Sequence, residues 1–163
     1  MKRRSFLGLG AAAALALSGK GLGAARAQPS EGLHFLTARQ YATLAAIAEV
    51  VNPAYGAFPS AGELDVAGKL DALLDRMEPG IAAELAQGLD LVGGGFLGLV
   101  LAGRTERFAS LPLARRQEEW KAWSTSRMAL RRSVHKAFTS LCGATYWACP
   151  ETWPGVGYPG PPL

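Results

Sequence analysis

Between residues 36 and 145 the apolar side chains recur at helical spacing, broken by proline and glycine. Nowhere do they alternate with polar residues over the length of a strand. A period near 3.6 gives each segment one apolar stripe that another helix has to cover, so the chain is expected to be all-α. Five helices follow from the punctuation. Thr37 with Gln40 forms a capping-box pattern, with Leu36 and Tyr41 as its hydrophobic staple. Tyr41, Leu44, Ile47, Ala48 and Val51 then mark one face until Asn52-Pro53 stops the run. A loop over 52–62 leads to a second helix with Val66, Leu70, Leu73, Leu74 and Met77 inward, ended by Pro79-Gly80. Ile81, Leu85, Leu89 and Val92 begin a third, which meets Gly93-Gly94-Gly95 and resumes through 96–100. Residues 110–124, with Leu113, Trp120 and Trp123, and residues 128–145, with Leu130, Val134, Phe138 and Leu141, complete a single small bundle.

The ends of the chain are of another kind. Lys2, Arg3 and Arg4 precede an uncharged alanine, leucine and glycine stretch over 5–18, the pattern of a secretion leader. That stretch is short of the ~20 residues a membrane-crossing helix needs. Ala25 and Ala27 supply small residues at the two positions read by a signal peptidase, so cleavage is expected after Ala27. Arg3-Arg4-Ser5-Phe6-Leu7 resembles the twin-arginine export motif, carried here by Arg3, Arg4, Phe6 and Leu7. Lys2 and Gly8 depart from its usual flanks. That route moves folded proteins, so the expected destination is the periplasm, and the twin-arginine translocase is a transient partner. The organisation is then a leader over 1–27, a linker over 28–35, a helical domain over 36–149 and a tail over 150–163. Five prolines and three glycines in the last 14 residues predict that the tail is extended.

Charge narrows the function. Of 17 Lys and Arg, five lie within the first 27 residues, so 12 remain against 13 Asp and Glu. The basic balance belongs to the leader, and a mature domain near −1 lacks the basic excess of a nucleic-acid binder. Two cysteines, Cys142 and Cys149, rule out a four-thiolate iron-sulfur or zinc site. They do not form the C-x-x-C-H pattern of covalent haem attachment. In an oxidising compartment a disulfide between them is expected, on one condition. Seven residues of continuous helix separate Cα atoms by about 10 Å, beyond the ~7 Å that a disulfide spans, so the helix has to end between them.

Other motifs carry less chemistry. Gly93-Gly94-Gly95-Phe96-Leu97-Gly98 fits G-x-G-x-x-G, but in helical rather than strand-to-helix surroundings, so close packing or a hinge is the better reading. His34 and His135 cannot form a local two-histidine metal motif, and His135 beside Arg131, Arg132 and Lys136 reads as a surface residue. No serine has a nucleophile-elbow context. Catalytic, cofactor and metal residues are therefore expected to be absent from this chain. Arg127, Arg131, Arg132 and Lys136, with Arg115 and Arg116 nearby in sequence, read either as a solvated face or as a docking strip for an acidic partner. Trp120, Trp123, Tyr146, Trp147, Trp153 and Tyr158 crowd the C-terminal half, and they read either as interface anchors or as core at Trp120, Trp123 and Trp147 with Trp153 tacking the tail down.

The opening Leu36-Thr37-Ala38-Arg39-Gln40-Tyr41-Ala42-Thr43-Leu44 and its exit Val51-Asn52-Pro53-Ala54 resemble the first helix and turn of the gluconate 2-dehydrogenase subunit 3 family. The ending is similar as well: the aromatic pair Tyr146-Trp147, then Pro150, Trp153 and Gly157-Tyr158-Pro159-Gly160-Pro161. Asn52 and the cysteine pair depart from the family pattern. The resemblance implies a non-catalytic small subunit bound to a large flavin-dependent dehydrogenase of the glucose-methanol-choline type. FAD would sit in that partner, and a c-type cytochrome with haem c often forms a third subunit. It implies further that the large subunit lacks a leader and is escorted out, and that attachment to the inner membrane runs through partner subunits. The competing expectation is a self-sufficient periplasmic binding or enzyme module with an unrecognised cofactor.

Overall fold

A computed structural model describes residues 32–94 and 106–161. Among them the chain forms five α-helices: α1 (Ala38–Val51), α2 (Val66–Leu74), α3 (Pro79–Gly93), α4 (Leu113–Ser124) and α5 (Ala129–Trp147). Short 3-10 turns occur at Phe108–Ser110, Pro150–Thr152 and Pro154–Val156. The described residues contain no strand, and the expected small all-α bundle is what forms. The residues of the expected leader, Arg3, Arg4, Phe6, Leu7, Ala25 and Ala27, lie outside the described residues, as does the expected helical stretch over 96–100.

α1 is the hub. Thr37 caps it, its hydroxyl accepting from the Gln40 amide while Gln40 Oε1 accepts from the Thr37 amide at 3.0 Å. Leu36 and Tyr41 are both buried, closing the staple. The helix is buried on most of its circumference, at Tyr41, Thr43, Leu44, Ala45, Ala46, Ile47 and Ala48, and it packs against the other four helices. Alanines on three of those positions let neighbouring backbones approach closely. The Asn52 amide closes the end on the Ala48 carbonyl, and Pro53 follows.

The entry to α1 is fixed from a distance. Asp71, 1% exposed, accepts three successive amides, from His34 at 2.7 Å, Phe35 at 3.1 Å and Leu36 at 2.7 Å. Both side-chain oxygens are thus met by backbone donors, which offsets the cost of burying a polar group. α2 starts at Asp65, whose side chain accepts from the Gly68 amide with φ at 47°, a left-handed conformation uncommon outside glycine and asparagine. The Tyr41 hydroxyl donates to Asp65 Oδ1 at 3.1 Å. Burial and that carboxylate push the Tyr41 phenol well above its ordinary range.

Several faces are rotated from expectation. α3 starts at Pro79 with Glu78 as its cap, and it turns Ala82 inward and Ile81 outward. Leu73, Leu113 and Leu130 face solvent as well. Arg116 is buried instead, donating Nη1 to Glu49 at 2.7 Å, and with Trp120 and Trp123 it forms the inward face of α4. α3 ends at Gly93, and Gly94, at φ 81°, turns the chain while its carbonyl accepts from the Arg39 guanidinium. No strand precedes these glycines among the described residues, and Gly93 packs against Thr43 on α1.

Two expectations about the C-terminal region are corrected. Cys142 and Cys149 are not bridged. α5 runs on to Trp147, and Ala148 keeps helical angles, so the intervening chain stays helical for nearly the whole interval. The tail is wound rather than extended: two 3-10 turns follow α5, and Thr152, at the end of the first, is fully buried.

Candidate docking surface

The end of α5, the wound tail and the loop after α1 assemble one aromatic ledge. Tyr146 anchors it inward, its hydroxyl donating to the Pro59 carbonyl at 2.7 Å. Burial, with Cys149 and Glu63 nearby, pushes that phenol above its usual value. Trp147 points the other way, 47% exposed, with its ring edge-on to Tyr146 at 5.2 Å and to Phe58 at 5.8 Å. Phe58 is held in a tight turn by reciprocal backbone bonds with Tyr55, at 2.9 and 3.2 Å. Gly155 lies directly against the Phe58 ring, where a side chain would have no room.

The tail then folds back on itself. Trp153 donates its indole N–H to the Trp147 carbonyl at 3.0 Å, and Tyr158 packs edge-on to Trp153 at 5.3 Å. Gly157, at φ 68°, makes the reversal, and the Tyr158 amide returns to the Trp153 carbonyl at 3.0 Å. The Thr152 hydroxyl donates to the Cys149 carbonyl at 2.8 Å. Trp147, Val156 and Tyr158 are left facing outward on this base, and Tyr55, 79% exposed, stands in the adjoining loop. Large apolar rings presented on a hydrogen-bonded scaffold lose little conformational freedom on contact, which suits them to anchor a partner.

The basic residues lie elsewhere, at the start of α5. Arg131 sets its guanidinium 4.9 Å from the Trp123 ring centre. Arg132 Nη1 donates to the Ser126 carbonyl at 2.6 Å and the Arg127 carbonyl at 3.0 Å, closing the turn that precedes the helix. Arg115 pairs with Glu118 at 2.7 Å on the α4 surface. Arg127 and Lys136 point into solvent. His135 packs on Trp120, ring centres 4.8 Å apart, and burial lowers its pKa below the ordinary imidazole value. The strip and the ledge are separated by most of the length of α5: 16 residues of helix from Arg131 to Trp147 span about 24 Å.

A cleft of about 410 Å³ opens where residues 32–34 pass the start of α2. His34, Glu63, Asp65, Lys69 and Glu151 line it. Asp65 is engaged by Tyr41 and Gly68, and Glu63 caps Ser60, accepting from its amide at 2.6 Å. Among the described residues no group of three metal-ligating side chains converges, and no helix is long and apolar enough to cross a membrane.

Sequence reasoning missed Tyr55, Phe58 and Val156 as parts of the ledge and Lys69 as a neighbour of Cys149. Tyr146 and Pro59 are 87 positions apart, and only tertiary packing brings the loop to the tail. The aromatic pair in a proline-rich loop was the one local signal available. No protein-family model, no curated protein and no solved structure matches the chain.

Proposed function

We propose that this chain is a non-catalytic accessory subunit of a periplasmic FAD-dependent dehydrogenase of the glucose-methanol-choline type, acting on a sugar, sugar acid or polyol. It holds the large catalytic subunit and escorts it through the twin-arginine route. The observation that carries this reading is the ledge, with Trp147 and Tyr158 each 47% exposed on a rigid, hydrogen-bonded tail. The leader pattern Arg3-Arg4-Ser5-Phe6-Leu7 supports export in the folded state, and the opening-helix and tail motifs support the family. FAD belongs to the large subunit, and haem c to a cytochrome third subunit where one is present. Co-expression with a leaderless flavoprotein partner tests the escort role. Replacing Arg3 and Arg4 by lysine is expected to strand both chains in the cytoplasm, and a partner that still reaches the periplasm normally removes the role.

The cleft beside Lys69 favours a second reading, a self-sufficient periplasmic module that takes its own ligand. Purification of the chain alone decides between them: a stoichiometric chromophore or metal replaces the accessory reading.

A further inference from the structure

The two cysteines occupy opposite surroundings. Cys142 has no exposed surface and lies in the core, where burial pushes its thiol up to about 12. Cys149, just past α5, is 3% exposed and engaged at both ends of its S–H group. Its Sγ accepts from Lys69 Nζ at 3.1 Å, and its S–H donates to the Thr145 carbonyl at 3.3 Å. Lys69 lines the 410 Å³ cleft and is exposed, so a small oxidant entering the cleft meets the pair from the lysine side. A cysteine oxidised to a sulfenic acid condenses with a nitrogen beside it, and Lys69 Nζ stands in that place at 3.1 Å. The flexible four-carbon lysine stem is free to close the remaining gap.

We infer that Lys69 and Cys149 form an oxidative cross-linking pair, in which a peroxide converts Cys149 to a sulfenic acid that the Lys69 amine captures as an S–N bond. In the first step the peroxide O–O bond breaks. One oxygen bonds to sulfur, the other leaves as water, and sulfur loses the two electrons that the peroxide gains. In the second step the Nζ lone pair attacks sulfur and the S–O bond breaks. The ammonium gives up two protons, one completing the departing water and one passing to solvent. The product joins α2 to the chain beyond α5 across 80 residues of sequence and pins the Cys149 carbonyl that Thr152 holds at the base of the ledge. The inference does not depend on the docking role.

The full-length chain, purified reduced and treated with hydrogen peroxide, gives the test by intact mass and peptide mapping. The expected result is a loss of two hydrogens, one peptide pair joined through Lys69 and Cys149, reversal by a thiol reductant, and a raised melting temperature. Cys142→Ser should cross-link as the parent does. Lys69→Arg should stop at a sulfenic acid that a carbon nucleophile traps, and Lys69→Gln checks that outcome should the arginine disturb the cleft. The idea is overturned by a mass loss that persists in both Lys69 variants or that requires Cys142, the signature of a disulfide. Accumulation of sulfinic acid without joined peptides, or an unchanged mass, overturns it equally.

Discussion

Asp71 shows how far a residue's role can lie from its local pattern. It sits in the middle of α2, where a helical wheel predicts solvent or core, and it instead receives the amides of His34, Phe35 and Leu36. Nothing in its own neighbourhood signals those three donors, because they lie more than 30 positions away. Cys142 is the opposite case, since its place in the register of Val134 and Phe138 already puts it inward. Its thiol is raised from 9.0 to about 12 by burial, so the unfolded chain ionises first. The stability carried by the protonated folded form is complete below pH 9 and is lost as pH rises toward 12. Cys142→Ala is expected to flatten the alkaline fall in stability by up to about 1.4 kcal/mol per pH unit over that window, as measured by denaturant titration at stepped pH.

At the scale of elements, the start of α1, its Asn52-Pro53 stop and the bodies of the other helices were legible, because caps, prolines and the 3.6-residue period are local physics. Which leucine faces inward was less so. Leu73 and Leu113 yield the interior to Asp71 and Arg116, and Leu130 faces solvent, since a helix turns its face to suit what its partners offer. The α1 to α3 contact shows the constraint most tightly. A Cβ on Gly93 would stand 2.7 Å from Thr43 Oγ1, inside the distance real side chains tolerate. Gly93→Ala is expected to destabilise the fold by about 1–3 kcal/mol. Adding Thr43→Ala removes the obstructing hydroxyl, so the double variant should recover part of that loss. Additive losses would refute the packing account.

At the scale of the molecule, the two sets of docking candidates separate. The basic residues at the start of α5 are largely spent on Trp123 and on the turn before the helix, whereas the ledge at the other end leaves its apolar rings outward. In a pull-down with the proposed flavoprotein partner, Tyr158→Ala together with Val156→Ser is expected to weaken binding about tenfold or more, equivalent to about 1.4 kcal/mol. Arg127→Ala together with Lys136→Ala should leave it nearly unchanged. The reverse ranking would move the interface to the basic strip.

The sequence by itself determined the all-α class, the capped opening helix and the break into five helices, all of which depend on residues within a few positions of one another. The same locality misled it at the C-terminus. Proline and glycine content predicted an extended tail, and cysteine spacing suggested a bridge. Tertiary structure alone wound the tail, because Phe58 and Pro59 arrive from 87 to 97 positions upstream to receive Gly155, Trp147 and Tyr146. It also set Lys69 beside Cys149 while α5 continued past the point where the two thiols would have met. Helices and caps are chosen over a turn or two of chain. Ledges, clefts and reactive pairs are chosen by which distant surfaces the packed bundle brings together.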